Sequence, residues 1–207
     1  IAWYPVAIGR RSWQTALGKY EVRVKVINPS WKPTTEMIAR EGVKDEEVPP
    51  GPNNPLGDRW MGWSLPGYGF HSTTAPSTIG TAASHGCVRL TPAMAHKMFD
   101  QVSVGWPIVS IYEPILIGKQ GDFYYISVFE DVYRAGAVSV KLALDLIKRA
   151  GINGIVDEKA LESIVRNHDG FPTRIPFISM DESPVDPTDN LPPPTLPVPV
   201  KKPDWGL

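Results

Sequence analysis

The 207-residue chain is short of several features that often reveal a function, since it has one cysteine, four histidines and a formal net charge of only −1. A single cysteine excludes a disulfide within the chain, so cysteine usage indicates no particular redox compartment. The near-neutral charge gives no electrostatic basis for binding nucleic acid or an anionic membrane surface. We therefore expect no nucleic-acid partner.

Long apolar runs are also missing, so no membrane span is predicted in this fragment. No signal peptide is recognisable, and the chain begins with Ile-Ala-Trp rather than with methionine. We interpret it as a mature or trimmed fragment, for which the missing signal carries no information about export. No metal-binding spacing of cysteine and histidine occurs, and we expect no metal site.

Proline, in contrast, is abundant, with 22 residues in the chain. Many prolines lie in residues 183–203, which should be extended like polyproline II, as a linker or as a strap along the surface. Hydrophobic residues make up 42% and charged residues 21%, which predicts a folded core for most of the remainder. The length suits one substantial domain with a smaller appendage.

Local patterns predict strands first and helices later in the chain. Apolar and polar residues alternate over 19–28, which is typical of a half-buried strand in an antiparallel sheet. Its apolar face holds Tyr20, Val22, Val24 and Val26. Thr91 and Pro92 are a good cap and a good first residue for a helix. The other predicted strands or extended pieces are 1–9, 107–112, 122–129 and 170–175, and the other predicted helices are 34–41, 139–150 and 157–167.

Two central stretches have no regular period. Residues 29–57 are polar and punctuated by prolines, which predicts a long loop that is either functional or a solvated insertion without a role. Residues 57–73 combine glycines with aromatic side chains that either wall a cleft or belong to the sheet core. For Trp60 and Phe70 we favour the core.

The only cysteine, Cys87, directly follows His85 and Gly86, and His71 lies upstream. The thiolate is the reactive form of cysteine, and a nearby imidazole is the usual means of producing it near neutral pH. This span therefore predicts a nucleophilic site, with either histidine as a candidate base. The alternative is that Cys87 is a small buried hydrophobic residue without a role in chemistry.

Other residues near Cys87 suggest supporting roles. Gly86 suggests a turn that leaves the backbone N–H groups of Gly86 and Cys87 free to form an oxyanion hole. Arg89 either binds a substrate carboxylate or forms a structural salt bridge beneath the site. We interpret His96 and His168 as structural or surface residues.

The span of His71 and Ser84-His85-Gly86-Cys87-Val88-Arg89 resembles the signature of the bacterial L,D-transpeptidases, the YkuD-type catalytic domain that cross-links peptidoglycan. The resemblance covers residues 1–113, with the first strand missing, and residues 114–175 are similar to the C-terminal extension of the periplasmic Gram-negative branch. The flanking blocks that agree in order are Pro5–Gly9, Thr15–Tyr20, Asn28–Trp31, Asn54–Gly57 and Gly67–Thr73.

The resemblance implies a mainly β fold, with a mixed, β-sandwich-like sheet in residues 1–113, a small α+β extension with helices in 114–175 and a Pro-rich tail in 176–207. It implies Cys87 as nucleophile and His71 as proton donor and acceptor, oriented by the backbone carbonyl of Ser72. His85 and Gly86 would surround the thiol and the oxyanion hole. The implied substrate-binding residues are Arg89, Tyr68, Trp60, Thr73 and Ser84.

The implied reaction joins a peptidoglycan tetrapeptide stem to Cys87 as a thioester, releases D-alanine and needs no cofactor. The acceptor would be a second stem or the lysine of a wall-anchored lipoprotein, in an exported protein of the periplasm or cell wall. Ser72 and Ala16 depart from the residues Gly and Pro that the family often has there.

Other functions stay open beside this one. With water as acceptor, the same residues would make a thiol hydrolase of wall peptides, either a carboxypeptidase or a cross-link-cleaving enzyme. A non-catalytic wall-binding module would need no nucleophile. A papain-like protease is disfavoured because its cysteine precedes its histidine in the chain.

Overall fold

The computed structural model describes residues 4–178 and the backbone of 198–199. The chain divides into two compact units, Ile1–Tyr112 and Glu113–Leu207. Most of the predicted Pro-rich tail lies outside the described residues, and the three-part division of the chain stays a prediction. No helix among the described residues is long and apolar enough to cross a membrane.

The first unit is built mainly from short strands. Its elements are β1 Ile8–Gly9, β2 Gly18–Ile27, α1 Thr35–Glu41, β3 Arg59–Trp63, β4 Gly69–His71, β5 Ala82–Ser84, β6 Val88–Arg89, α2 Pro92–Gln101 and β7 Pro107–Ser110. Five strands form a sheet in the order β6-β4-β3-β2-β7, and β1 pairs with β5 separately. The β4–β6 pair is parallel, whereas the other pairs of the five-stranded sheet are antiparallel. The predicted mainly β, mixed-sheet fold is confirmed.

Strand β2 departs from the predicted alternation. Its register against β3 shifts between Val22 and Val24. Val22 is buried, but Val24 is 42% exposed, because an irregularity in the ladder changes which side chains face the core. Lys25 is half-buried instead, and its Nζ donates to the Val102 carbonyl at 2.7 Å. The prediction of one apolar face is therefore wrong beyond Val22.

The core of the first unit lies between the sheet and α2. Thr91 caps α2 by accepting a hydrogen bond from the Met94 N–H, and Pro92 begins the helix, as the sequence predicts. Ala95 on this helix is fully buried. The buried apolar residues of this core are Val22, Met61, Trp63, Val88, Leu90, Ala95 and Ile108. This packing holds β3, β4 and β6 in place, and β4 and β6 carry or border the residues singled out above.

The second unit has its own aliphatic core. Its elements are β8 Ile115–Gln120, β9 Phe123–Val128, α3 Val140–Arg149, α4 Glu158–Asn167, β10 Thr173–Arg174 and β11 Val198–Pro199. The strands form an antiparallel sheet in the order β10-β9-β8-β11. Strand β8 was not predicted, whereas α3 and α4 lie within one residue of their predicted bounds. Ile126 and Leu161 are fully buried at the centre of this core.

Candidate active site

Strand pairing brings His71 close to the segment that contains Cys87. Strand β4 runs parallel to β6, with Phe70 opposite Val88 and His71 opposite Arg89. Cys87 directly precedes β6, so it lies beside the start of β4. His71 and Cys87 both line one cleft, although they are sixteen positions apart in the sequence.

A tight turn presents Cys87. Gly86 has φ of 111°, a value that residues with a Cβ rarely adopt, and a Cβ there would lie 2.8 Å from Tyr68 Cε1. Ser84 closes the turn, because its Oγ accepts from the Gly86 N–H at 3.1 Å and donates to the Cys87 carbonyl at 2.5 Å. Glycine is therefore required at position 86.

This turn corrects one sequence-based expectation. The Gly86 N–H already donates to Ser84 Oγ, so it is not free to serve an oxyanion as predicted. The role of Gly86 is conformational, and the N–H of Cys87 is the remaining backbone donor of the predicted pair. Ser84 was predicted to bind substrate, but its hydroxyl is 1% exposed and is used within the turn.

His71 is buried, with 4% of its surface exposed. Its Nδ1 donates to the Ser72 carbonyl at 2.5 Å, and because a neutral imidazole carries one N–H, Nε2 is then the acceptor. Loss of water lowers the pKa of His71 to about 4, and the positive charge of Arg89 acts in the same direction. The Ser72 and Leu56 carbonyls oppose this shift without offsetting it. His71 is therefore a neutral base near neutral pH.

Cys87 is half-buried, and its Sγ donates to the Gly67 carbonyl at 3.3 Å. Loss of water raises the pKa of the thiol to about 11, although the Gly69 N–H and the charge of Arg89 act to lower it. Between the pKa values of His71 and Cys87, both groups are neutral. Both shifts favour the neutral forms of the two side chains near neutral pH.

The cleft beside Cys87 has a volume of about 660 Å³. The loop of residues 29–57, which includes α1, supplies much of its wall, and the other lining residues lie on β2, β3, β4 and β6, before β4 and in the Cys87 turn. Trp60 lines the cleft, so the expectation that it belongs to the core is wrong, whereas Trp63 is buried in the core. The lining residues are Val26, Pro29, Ser30, Trp31, Lys32, Thr34, Met37, Val43, Pro55, Leu56, Trp60, Gly67, His71, Ser84, His85, Cys87 and Arg89.

The charged side chains that line the cleft are cationic. They are Lys32 and Arg89, and no aspartate or glutamate is among the described lining residues. Lys32 pairs with Asp45 at 3.2 Å. The Nε of Arg89 is buried without a hydrogen-bond partner among the described residues, and burial lowers the pKa of its guanidinium. Arg89 forms no salt bridge with another described residue, so the predicted structural salt bridge is not seen in this part of the chain.

Two other predicted substrate contacts do not line the cleft. Thr73 is buried, and its Oγ1 accepts from the Ala75 N–H at 3.0 Å. Tyr68 packs against Gly86. His96 pairs with Asp58 at 2.5 Å, as befits a structural residue. Neither Thr73 nor Tyr68 is among the described residues that line the cleft.

The sequence alone indicated no role for Asn54 or Glu41. Both lie within the loop of residues 29–57 and hold it in place through hydrogen bonds. Asn54 is fully buried, its Nδ2 donates to the carbonyls of Pro29, Val48 and Pro49, and its Oδ1 accepts from the Leu56 N–H. An asparagine among prolines is a weak turn signal. Glu41 is the last residue of α1 and contacts His85. No pattern of neighbouring residues predicts a contact between residues 44 positions apart in the sequence.

The chain is similar in sequence to a known family and to several known proteins. Residues 1–111 match the model of the family YkuD, the L,D-transpeptidase catalytic domain. The chain is 30% identical over 186 residues to the Escherichia coli protein described as "Probable L,D-transpeptidase YbiS", covering 83% of this chain and 60% of that protein. It is also 30% identical over 192 residues to the E. coli protein "Probable L,D-transpeptidase ErfK/SrfK", covering 83% and 59%.

The chain thus spans about three fifths of the length of these two curated relatives. The family match covers the first unit, where the cleft, His71 and Cys87 lie. The family predicted from the sequence signature is confirmed, and the chain belongs to the YkuD family of L,D-transpeptidase catalytic domains.

Proposed function

We propose that the protein is a peptidoglycan L,D-transpeptidase that forms a thioester at Cys87. The observation that carries this proposal is the shared cleft of Cys87 and His71, in which the Ser72 carbonyl holds the imidazole with Nε2 as acceptor. A half-buried thiol and a buried neutral imidazole that line the same cleft suit acyl transfer. Family membership supports the same reaction.

The first half of the proposed reaction is acylation. His71 Nε2 takes the thiol proton as Cys87 Sγ attacks the carbonyl of the third stem residue, a diamino acid. The Cys87 N–H stabilises the oxyanion of the tetrahedral intermediate. The intermediate collapses, the C–N bond to the terminal D-alanine breaks, and His71 returns the proton to the leaving amine. No charged thiolate needs to exist beforehand, in agreement with the raised pKa of Cys87.

The second half transfers the acyl group to an amine. His71 takes a proton from the incoming amine, which attacks the thioester, and the proton passes to the departing Cys87 sulfur. The acceptor amine is the diamino acid of a second stem, which gives a cross-link, or the lysine of a wall-anchored lipoprotein. The protein would then work outside the cytoplasmic membrane, in the periplasm or cell wall.

The charge of the cleft supports an anionic peptide as substrate. The Arg89 guanidinium lies on the cleft wall with its Nε unpartnered among the described residues. A guanidinium binds two carboxylate oxygens at once, and stem peptides carry carboxylates near the scissile bond. Trp60 supplies an aromatic wall on the same cleft. We propose Arg89 and Trp60 as the substrate-binding residues.

Incubation with purified muropeptides tests this function. We expect mass spectrometry to detect cross-linked dimers and released D-alanine, and we expect neither with Cys87→Ala. We also expect a carbapenem to add once to the wild-type protein and not to Cys87→Ala. Tripeptides without dimers would indicate a thiol hydrolase of wall peptides, and a carbapenem adduct that survives Cys87→Ala would refute the nucleophile.

A further inference from the structure

The carboxylate of Glu41 joins two segments that are far apart in the sequence, since it contacts Arg10 and Trp13 in one and His85 in the other. Glu41 is the last residue of α1. Its Oε1 accepts from the Arg10 guanidinium and, at 2.8 Å, from Trp13 Nε1, while its Oε2 lies 2.9 Å from His85 Nε2. The Trp13 and His85 rings also contact edge to face, with centroids 5.1 Å apart. One carboxylate therefore holds α1 to the segment before β2 and to the residue two positions before the thiol.

The proton on His85 follows from its neighbours. Arg10 Nη2 also lies 2.9 Å from His85 Nε2, but a guanidinium can only donate. The pKa of Glu41 is lowered, chiefly by its hydrogen bond to His85, so this side chain is a carboxylate that can only accept. His85 Nε2 can donate to Glu41 or accept from Arg10, and Arg10 already has the Glu41 carboxylate as its partner. The contact between His85 and Glu41 is a hydrogen bond when His85 carries its proton on Nε2 and donates it to the carboxylate.

The contacts of Glu41 also fix a wall of the cleft. Helix α1 has seven residues, too few to be stable alone. Met37 on this helix lines the cleft, as does His85 on the opposite side of the Glu41 contact. The neighbouring Arg40 reinforces the attachment, because its guanidinium stacks over Trp13 at 4.2 Å and donates to the Ser12 carbonyl at 2.9 Å. The position of α1 and the orientation of His85 thus depend on the same residue.

We propose that Glu41 is a positioning residue for the chemistry at Cys87. Its carboxylate holds the His85 ring, which restricts the turn that presents the thiol, and it holds α1 as the adjoining wall of the cleft. The proposal rests on the proposed function only for its effect on turnover. Glu41 itself touches no reacting atom, and it acts through His85.

The test compares Glu41→Gln with Glu36→Gln. Glu36 lies on the same helix and also forms an ion pair, with Arg40 at 2.8 Å, but it has no contact with the Cys87 turn among the described residues. We expect Glu41→Gln to lower kcat for muropeptides about tenfold with little change in KM, because a small misplacement of a reacting group has effects of that size or larger. Glu36→Gln should behave like the wild type.

Two further readouts do not depend on the proposed function. In Glu41→Gln, we expect faster hydrogen exchange at the amides of residues 85–87 and severalfold faster alkylation of Cys87 by iodoacetamide, because the turn and the wall open more often. Glu41→Asp, which keeps the charge but shortens its reach, should lie between Gln and the wild type, and it replaces Gln as the test if Glu41→Gln does not fold.

The outcomes separate the two proposals. Wild-type turnover, exchange and alkylation in Glu41→Gln would overturn the positioning role. A lowered thermal midpoint with unchanged kcat and unchanged exchange at residues 85–87 would also overturn it, since a purely structural residue behaves in that way. If the wild type converts no muropeptide, the proposed transpeptidase function fails, and the exchange and alkylation rates still decide the role of Glu41.

Discussion

The two units of the chain bury different kinds of side chain. Among the described residues, the buried polar side chains of the first unit are Thr15, Asn54, His71, Ser72, Thr73 and Ser84, and that of the second unit is Ser127. The second unit packs aliphatic residues of its sheet against α3 and α4. Burying a polar group is unfavourable unless it is hydrogen-bonded. The first unit meets this condition at Asn54, His71 and Ser84, whose hydrogen bonds fix the loop, the imidazole and the turn around the cleft.

Ser84 in the first unit and Ser127 in the second illustrate this difference. Ser84 and Ser127 are both 1% exposed. Ser84 Oγ makes two hydrogen bonds that hold the turn before Cys87, whereas Ser127 Oγ has no partner among the described residues. Two equally buried serines thus differ in their contribution. The Ser84 hydroxyl holds the backbone of the turn, whereas the Ser127 hydroxyl makes no hydrogen bond to a described residue.

The largest effect should come from replacing His71, the proposed base. We expect His71→Ala to lower muropeptide turnover by about 10² to 10⁴, the range that general acid–base catalysis contributes. His96→Ala is the matched control, because His96 pairs with Asp58 and does not line the cleft. Steady-state kinetics, with circular dichroism to confirm folding, measure both variants. Equal losses in the two variants would mean that His71 is not the base.

The pH dependence of Cys87 reactivity should also distinguish the site from an ordinary thiol. The charged group that acts on the thiol is Arg89, which lowers its pKa without offsetting the effect of burial. Because burial raises the pKa of Cys87 to about 11, the thiolate fraction and hence the rate of alkylation by iodoacetamide should rise about tenfold per pH unit above pH 7. No plateau should appear below about pH 10.

The same measurement on the chemically unfolded chain provides the control, and there the rise should level off about two pH units earlier, near the ordinary thiol pKa. A rate in the folded protein that is already constant between about pH 6 and pH 8 would indicate a thiolate–imidazolium pair. That result would contradict a neutral Cys87 thiol and a neutral His71 imidazole in the free protein.

A core substitution in the second unit should change stability rather than chemistry. Leu161 is fully buried among aliphatic side chains of that unit. Leu161→Ala should lower the free energy of unfolding by about 2–5 kcal/mol, because it removes apolar contacts and leaves a cavity. Denaturant unfolding measures the loss, and the carbapenem adduct at Cys87 should still form in the folded protein. Loss of the adduct in protein that is still folded would refute this separation of roles.

The smallest effects should come from the serine pair. Ser84→Ala should lower the free energy of unfolding by about 1–3 kcal/mol, because the Gly86 N–H and the Cys87 carbonyl lose their shared partner. Ser127→Ala should change it by less than about 0.5 kcal/mol, because the lost hydroxyl has no described partner. Paired denaturant titrations measure the difference. Equal effects would show that Ser84 does not hold the turn.

Local signals predicted the parts of the fold that depend on neighbouring residues. Thr91 and Pro92 set the start of α2, and Ser139 and Asp157 cap α3 and α4, because a cap is satisfied within one helical turn. Strands β3 to β6 were not predicted, since each has five residues or fewer and is defined by its partners rather than by its own period.

At the candidate site, too, the sequence predicted features that depend on neighbouring residues and missed contacts between distant ones. The spacing of His71, His85 and Cys87 singled out a candidate nucleophile and two candidate bases from residue types alone. The sequence could not show that Ser84 occupies the Gly86 N–H, because that depends on the turn geometry. It could not show that Glu41 meets His85, because the contact joins residues 44 positions apart.

The sequence by itself therefore determined the family, the single thiol and the helix boundaries, because a signature and a cap are properties of nearby residues. Only the tertiary structure decided that burial favours the neutral forms of Cys87 and His71, that Trp60 lines the cleft and that Asn54 and Glu41 hold the loop of residues 29–57. The physical reason is that burial and hydrogen-bond partners arise from segments that meet only when the chain folds.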